Sequence, residues 1–206
     1  MLNPKNIKLK SMKKVLNVGG NNKTIPIPSC FDGWQHDLLD IDPKVRPDIL
    51  CDARELWKLP PRQYDAIYCS HNLEHYFSHD VPKVLKGFKL LLKQDGFAYI
   101  NVPDLVGAME YMLQYNLELD DEIYMSSVGS IAMLDFIFGH RKKIEASGVD
   151  FFMHKTGFSI SLLQRMLKAA GFPIVLARCR ELNIKALAFM KEPSAEIIEQ
   201  LELGKL

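Results

Sequence analysis

An open α/β sheet, mostly parallel with an antiparallel C-terminal strand, is the fold class this sequence predicts. Three observations predict it. Short apolar runs alternate with stretches of helical periodicity, the pattern of successive strand–helix units. Several of those runs end in glycine or aspartate, where open sheets bind their ligands. The last two runs are joined by a connection too short for a parallel crossover, so at least one strand there pairs antiparallel.

The elements follow in chain order. Residues 15–18 are a buried strand feeding the Gly19-Gly20 turn. Pro26 and Pro28 argue against a helix in the connection that follows, residues 21–34. Residues 36–41 form a second strand, 48–51 a third and 65–69 a fourth. Val81, Val84, Leu85, Phe88, Leu91 and Leu92 recur at helical spacing and predict a helix over 81–93. Asp95-Gly96 then turns the chain into a fifth strand at 97–102, stopped by Pro103. From 105 to 153 the chain becomes rich in Met and aromatics, with helical stretches at 105–117 and 121–138. That segment reads as a helical insertion, or lid, over the sheet. Residues 161–170 form a helix capped by Gly171, followed by strands at 173–179 and 184–190. The tail, 194–203, could form a short amphipathic helix docked on its own body or on a second subunit, as in a homodimer.

The totals fit one domain over residues 1–206 with 105–153 inserted in it. Hydrophobic residues are 48% and charged residues 25% of the chain, and the net charge is +1. That balance provides no global basic field for a nucleic-acid partner, so none is expected. The basic run Lys5, Lys8, Lys10, Lys13 and Lys14 reads as a solvated lead-in to the first strand. Cys30, Cys51, Cys69 and Cys179 form no CxxC pair, so no metal or redox motif is expected from them. No apolar stretch reaches the roughly 20 residues of a membrane span, and no signal-peptide core is legible at the N-terminus. A cytoplasmic location is the resulting expectation.

Four strand ends carry the candidate chemistry. Glycines at 19 and 20 let a ligand approach the backbone closely, with Asn17 and Asn21 beside them, although two adjacent glycines often only make a turn. Asp40, about 20 residues on, can accept both hydroxyls of a ribose or simply cap the next turn. Asp52, after the third strand, can accept from an adenine amine. The fourth strand opens into the polar loop Ser70-His71-Asn72-Leu73-Glu74-His75, where a reacting group could sit.

Together these ends resemble the class I S-adenosylmethionine (SAM)-dependent methyltransferases. The run YDAIYCSHNLEH, followed by VLKGFKLLLKQDGFAYINVPD, is similar to that family's strand, loop, L-E-H, helix, turn and fifth strand. The chain looks closest to a small, type-11-like branch. In that branch the first helix is abbreviated and a late segment runs here as His154-Lys155-Thr156-Gly157-Phe158-Ser159, then Leu162-Leu163 and Ala169-Ala170-Gly171-Phe172. The resemblance covers roughly residues 13–190. It implies a Rossmann-like fold, SAM as cofactor and methyl transfer as activity. It also implies that Gly19 and Gly20 face the methionine part, Asp40 the ribose with Ile41 packing on the adenine, Asp52 and Ala53 the adenine amine, and Ser70 and His71 the reacting sulfonium.

Two departures stand out. The family usually has an acidic residue in the first strand and a third glycine in its loop, where this chain has Asn17 and Asn21-Asn22. That change weakens the grip on the methionine amino group and supports an alternative reading, a non-catalytic binding or scaffolding protein. A general base helps if the acceptor is a hydroxyl or protonated amine, and His71, His75, His140 and His154 are the candidates. Arg141, Lys142 and Lys143 read as a solvated charge run. The composition of 105–153 suits an adaptable, partly apolar pocket. A small-molecule, glycan or lipid-linked acceptor therefore fits better than DNA or RNA.

Two other enzymes are weighed and set aside. His71-Asn72-Leu73-Glu74-His75 matches the H-x-x-E-H zinc-peptidase pattern. It directly follows a strand and is soon met by Pro82, which leaves no long helix to carry a metal. Gly19-Gly20 and Asp40 have near-dinucleotide spacing, but no G-x-G-x-x-G opens a helix.

Overall fold

The computed structural model of the chain describes residues 12–126 and 129–201. Seven strands form one sheet: β1 (Lys14–Val18), β2 (Gln35–Asp40), β3 (Ile49–Leu50), β4 (Tyr64–Ser70), β5 (Leu92–Pro103), β8 (Ile174–Arg180) and β9 (Asn183–Phe189). Their order is β3-β2-β1-β4-β5-β9-β8. Strands β1 to β5 are mutually parallel, and β9 runs antiparallel to both β5 and β8. This is the Rossmann-like arrangement expected from the alternation of apolar runs. The chain reverses its direction of growth at β1 and β4, and that pair forms the topological switch point.

One sheet face carries the main core. Helix α1 (Val81–Leu91) buries Val84, Leu85, Phe88 and Leu91, and helix α5 (Ile160–Ala170) buries Leu163 and Leu167 against the same cluster. Gly171 at φ 96° closes α5, as its position predicts. Gly87 has a packing reason: a Cβ there would stand 2.7 Å from the Leu56 side chain.

The opposite face is covered more thinly. The proline-containing connection after β1 makes only a 3-10 turn, Ser29–Phe31, and no α-helix, as Pro26 and Pro28 require. Phe31 plugs that face, its ring centroid 6.2 Å from Phe97 and 6.0 Å from Tyr68. The tail helix α6 (Ala195–Gln200) docks on its own body: Leu201 and Ile197 join the Phe31 cluster, and the Gln200 amide donates to the Cys30 carbonyl. Residues 202 and 203 of the expected tail helix lie outside the described residues, as do Lys5, Lys8 and Lys10. Lys13 sits 5.0 Å from the Trp34 ring centroid, and the Lys14 backbone N–H donates to Asp65.

Two expectations are corrected. Asp95-Gly96 is no turn between elements but lies inside β5. Pairing passes from Tyr64–Leu92 directly to Ala66–Phe97, so residues 93–96 bulge out of one continuous strand. The stretch 121–138 is not one helix. β6 (Glu122–Ser126) and β7 (Gly129–Ala132) form an antiparallel hairpin before α3 (Met133–Phe138). Gly129 at φ 114° cannot continue a helix, and Ile123, Tyr124 and Ile131 favour strand over helix. Helix α2 (Leu105–Tyr115) precedes the hairpin as predicted. The basic run lies on a further helix, α4 (Arg141–Ser147), where it is exposed. Among the described residues no helix is long and apolar enough to cross a membrane.

Candidate functional site

A cavity of about 330 Å³ opens at the carboxyl ends of β1, β2 and β4. Asn17, Gly19, Gly20 and Asn21 line it from the first strand end, Asp40 and Ile41 from the second, and Ser70 and His71 from the fourth. Eight of the ten residues expected at a cofactor thus converge there. Asp52 and Ala53 stand outside its lining. The Asp52 carboxylate takes the Arg54 guanidinium in a fork, with Nε–Oδ2 at 2.9 Å and Nη2–Oδ2 at 2.5 Å. Burial raises the Asp52 carboxyl, and the hydrogen bonds from the Arg54 side chain and backbone outweigh that and hold it below its ordinary range. Ala53 is buried beneath it.

The strand-end geometry is local in origin. The Gly19 N–H extends the β1–β2 ladder by donating to the Leu39 carbonyl at 2.8 Å. Gly19 then turns at φ 72° and Asn21 at φ 59°. A Cβ on Gly19 would lie 2.0 Å from Asn72 Nδ2, and one on Gly20 would lie 2.2 Å from Asn17 Nδ2. The glycines are therefore demanded first by neighbouring asparagines, Gly20 by Asn17 of the same strand end and Gly19 by Asn72, which closes the loops after β1 and β4 onto each other. Asn17 is itself buried at the cavity floor.

Asp40 does cap the turn: Oδ1 accepts from the Asp42 N–H at 3.0 Å and Oδ2 from the Asn21 N–H at 3.2 Å. Each oxygen keeps a further lone pair for a donor in the cavity, so the two readings of Asp40 are compatible. Ile41, 41% exposed, offers an apolar wall beside it. His71 sits at φ 48°, which lets its N–H donate to the Asn101 carbonyl at 2.8 Å. The Asn101 side-chain amide lies 3.3 Å from His71 Nε2.

Several lining residues escaped sequence reading. Ile25, Pro26 and Ile27 come from the proline connection, Tyr68 from β4, and Lys143, Phe151 and Phe152 from the 105–153 segment. Only the bias of the proline connection hinted at the first three. The others are brought in by tertiary contact, with Lys143 Nζ 4.1 Å from the Phe152 ring centroid.

A second cavity of about 520 Å³ adjoins the first, and His71, His75, His140 and His154 all line it. The four candidate bases, scattered over 84 positions of sequence, thus share one space. His140 Nδ1 accepts from the Lys143 N–H at 3.1 Å and caps α4. Burial is the main influence that lowers the His154 imidazole below its ordinary value. Beneath them lies Glu74, 1% exposed. Burial raises its carboxyl, but the imidazoles of His71 and His75 outweigh that and lower it.

Asp135 in the same cavity accepts from Arg141 Nε at 2.9 Å and from two backbone N–H groups. Burial raises its carboxyl, and those bonds push it down to about 2. Because the folded value lies below the unfolded one, near 3.9, the stabilisation is present above pH ~4 and is lost as pH falls toward 2. Asp135→Asn should therefore cost up to about 2 kcal/mol in urea unfolding at neutral pH. The gap to wild type should close between pH ~4 and ~2; a constant gap across that window would refute the assignment.

Residues 35–100, less than half of the chain, match the model of a family described as a methyltransferase domain. Among solved structures the chain is similar to a SAM-dependent methyltransferase from Archaeoglobus fulgidus, with TM-score 0.55 and 15% identity over 87% of each chain. It is also similar to a 1,6-didemethyltoxoflavin-N1-methyltransferase from Burkholderia thailandensis, solved with 1,6-didemethyltoxoflavin and S-adenosylhomocysteine. That match has TM-score 0.51 and 15% identity over 86% of this chain and 71% of that one. A Thermotoga maritima SAM-dependent methyltransferase, described as a possible histamine N-methyltransferase, aligns with TM-score 0.51 and 15% identity over 89% and 84%. At such identities the likeness is one of fold. No curated protein matches the chain.

Proposed function

We propose, from the premise that this chain is built on the class I SAM-dependent methyltransferase fold, that it transfers a methyl group from SAM to a small-molecule acceptor. The observation that carries the reading is the cavity at the β1–β4 switch point, which gathers Gly19, Gly20, Asp40, Ile41, Ser70 and His71 from three strand ends. These residues fit the cofactor. Asp40 retains lone pairs for two ribose hydroxyls, Ile41 provides a flat apolar wall for a base, and the glycine backbone leaves open space for the methionine part. When bound, SAM supplies a methyl group already activated on a sulfonium.

The chain's own part is alignment and dryness. Asn101 holds Ser70 and His71, and His71 stands where the first cavity meets the second. Fixing acceptor and donor in line supplies several kcal/mol, up to about 10. The 105–153 segment acts as the lid: Phe151 and Phe152 cover the cofactor side, and Tyr124, Ile131 and Phe136 wall the acceptor side with apolar surface. His71 lines both cavities, as His75 also does, and with its ring held by Asn101 it is the first choice of base for an acceptor that must lose a proton. The volume of the second cavity suits a small molecule, or the reacting end of a glycan or lipid-linked one.

Calorimetric titration of SAM and of S-adenosylhomocysteine tests the reading. Saturable one-to-one binding of both is expected. Binding of neither would favour the scaffolding role that the buried Asn17, in place of an acid, also motivates.

A further inference from the structure

We propose that Glu74, His75 and His154 form a binding site for a single first-row divalent cation of the zinc type. One donor atom from each lies within 4.8 Å of the others. Donors about 2.1 Å from one ion at the tetrahedral angle stand about 3.4 Å apart, so a pair at the 4.8 Å limit closes by about 1.4 Å on loading.

The orientation of both rings supports the assignment. His75 Nδ1 lies 3.0 Å from the Met153 carbonyl, and His154 Nδ1 lies 3.0 Å from the Phe136 carbonyl. A carbonyl oxygen only accepts, so each Nδ1 donates, which directs the lone pair of the neutral ring to Nε2. A backbone acceptor behind one nitrogen, with the other left bare, is how metal-binding imidazoles are held.

The carboxylate makes the stronger case. Glu74 is 1% exposed, and neither of its oxygens has a hydrogen-bond partner among the described residues. The nearest cationic candidate, His71 Nδ1, stands 3.5 Å from Oε1 at a half-exposed side chain. The carboxylate oxygens keep lone pairs for a cation, and two histidines with one glutamate are a sufficient protein ligand set for zinc.

The sequence pattern H-x-x-E-H pointed to a different set. Leu73–His75 is a 3-10 turn and His71 lies in the left-handed region, so His71 and His75 do not share a helical face. His154 takes the expected place of His71, brought in because the Lys155 and Thr156 N–H groups both donate to the Glu74 carbonyl, at 2.7 and 3.2 Å. The ion would thus pin the end of the 105–153 segment to the loop after β4. None of this requires SAM, and its failure leaves the proposed methyl transfer untouched.

The test is titration of zinc(II), and separately of cobalt(II), into the chelator-stripped full chain. Expected are one equivalent bound and the intense visible absorption of four- or five-coordinate cobalt. Glu74→Gln and His154→Ala should each weaken zinc by more than about 100-fold, since even outer-shell changes cost 10–100-fold. His140→Ala, in the same cavity but outside the set, should bind as wild type. Circular dichroism of the variants guards against misfolding, and the cobalt spectrum of wild type stands independently of them. No bound equivalent in wild type, or equal affinity in Glu74→Gln and His154→Ala, would overturn the proposal.

Discussion

Asp40→Ala should lower the affinity for SAM and for S-adenosylhomocysteine by at least about 100-fold. Two ribose hydroxyls donating to one carboxylate contribute about 1.5–3 kcal/mol each, and every 1.4 kcal/mol is tenfold. The same substitution releases the Asn21 and Asp42 N–H groups, which Asp40 now holds at 3.2 and 3.0 Å. Part of the loss therefore comes from a loosened cradle. Asp40→Asn separates the two contributions: its remaining carbonyl oxygen can still hold one N–H but cannot accept from both hydroxyls. Calorimetry should rank wild type above asparagine and asparagine above alanine, with all three folded by urea unfolding. Unchanged binding in Asp40→Ala would place the ribose elsewhere and sink the assignment of the cavity.

Gly19→Ala should destabilise the fold by about 2–5 kcal/mol, from two sources. An alanine forced to φ 72° costs about 1–2 kcal/mol. Its Cβ would stand 2.0 Å from Asn72 Nδ2 and 2.4 Å from Asn72 Cγ, so Asn72 must leave, at an overpacking cost of about 1–3 kcal/mol. A double-mutant cycle with Asn72→Ala resolves them. The double variant should recover the packing part and retain the backbone part. If Asn72→Ala restores nothing, the contact between the two loops is not what Gly19 serves. Cofactor binding should fall with stability in Gly19→Ala, because the same two loops line the cavity.

Asp40 and Gly19 were both legible in the sequence for one reason. Each sits at the end of a strand whose apolar run is local, and the chemistry of an open sheet lies at strand ends. The alternation of runs and helices therefore determined the fold class, the five parallel strands and the antiparallel close, and the strand ends together with the family resemblance located eight residues of the cavity. The prolines at 26 and 28 determined that the first crossover carries no α-helix.

Other features were decided only in the folded chain. Composition made 121–138 look helical throughout, whereas pairing of β6 with β7 made its first part a hairpin and left only α3 helical. Asp52 had the right strand-end position, and only the folded chain showed the Arg54 fork on its carboxylate. Phe151, Phe152 and Lys143 reach the cofactor cavity across the fold, and no local periodicity encodes that approach. His154 meets Glu74 and His75 across roughly 80 positions of sequence. A pattern of spacing can place donors on one helix, but a site assembled from a loop and the far end of an insertion exists only once packing has closed the chain.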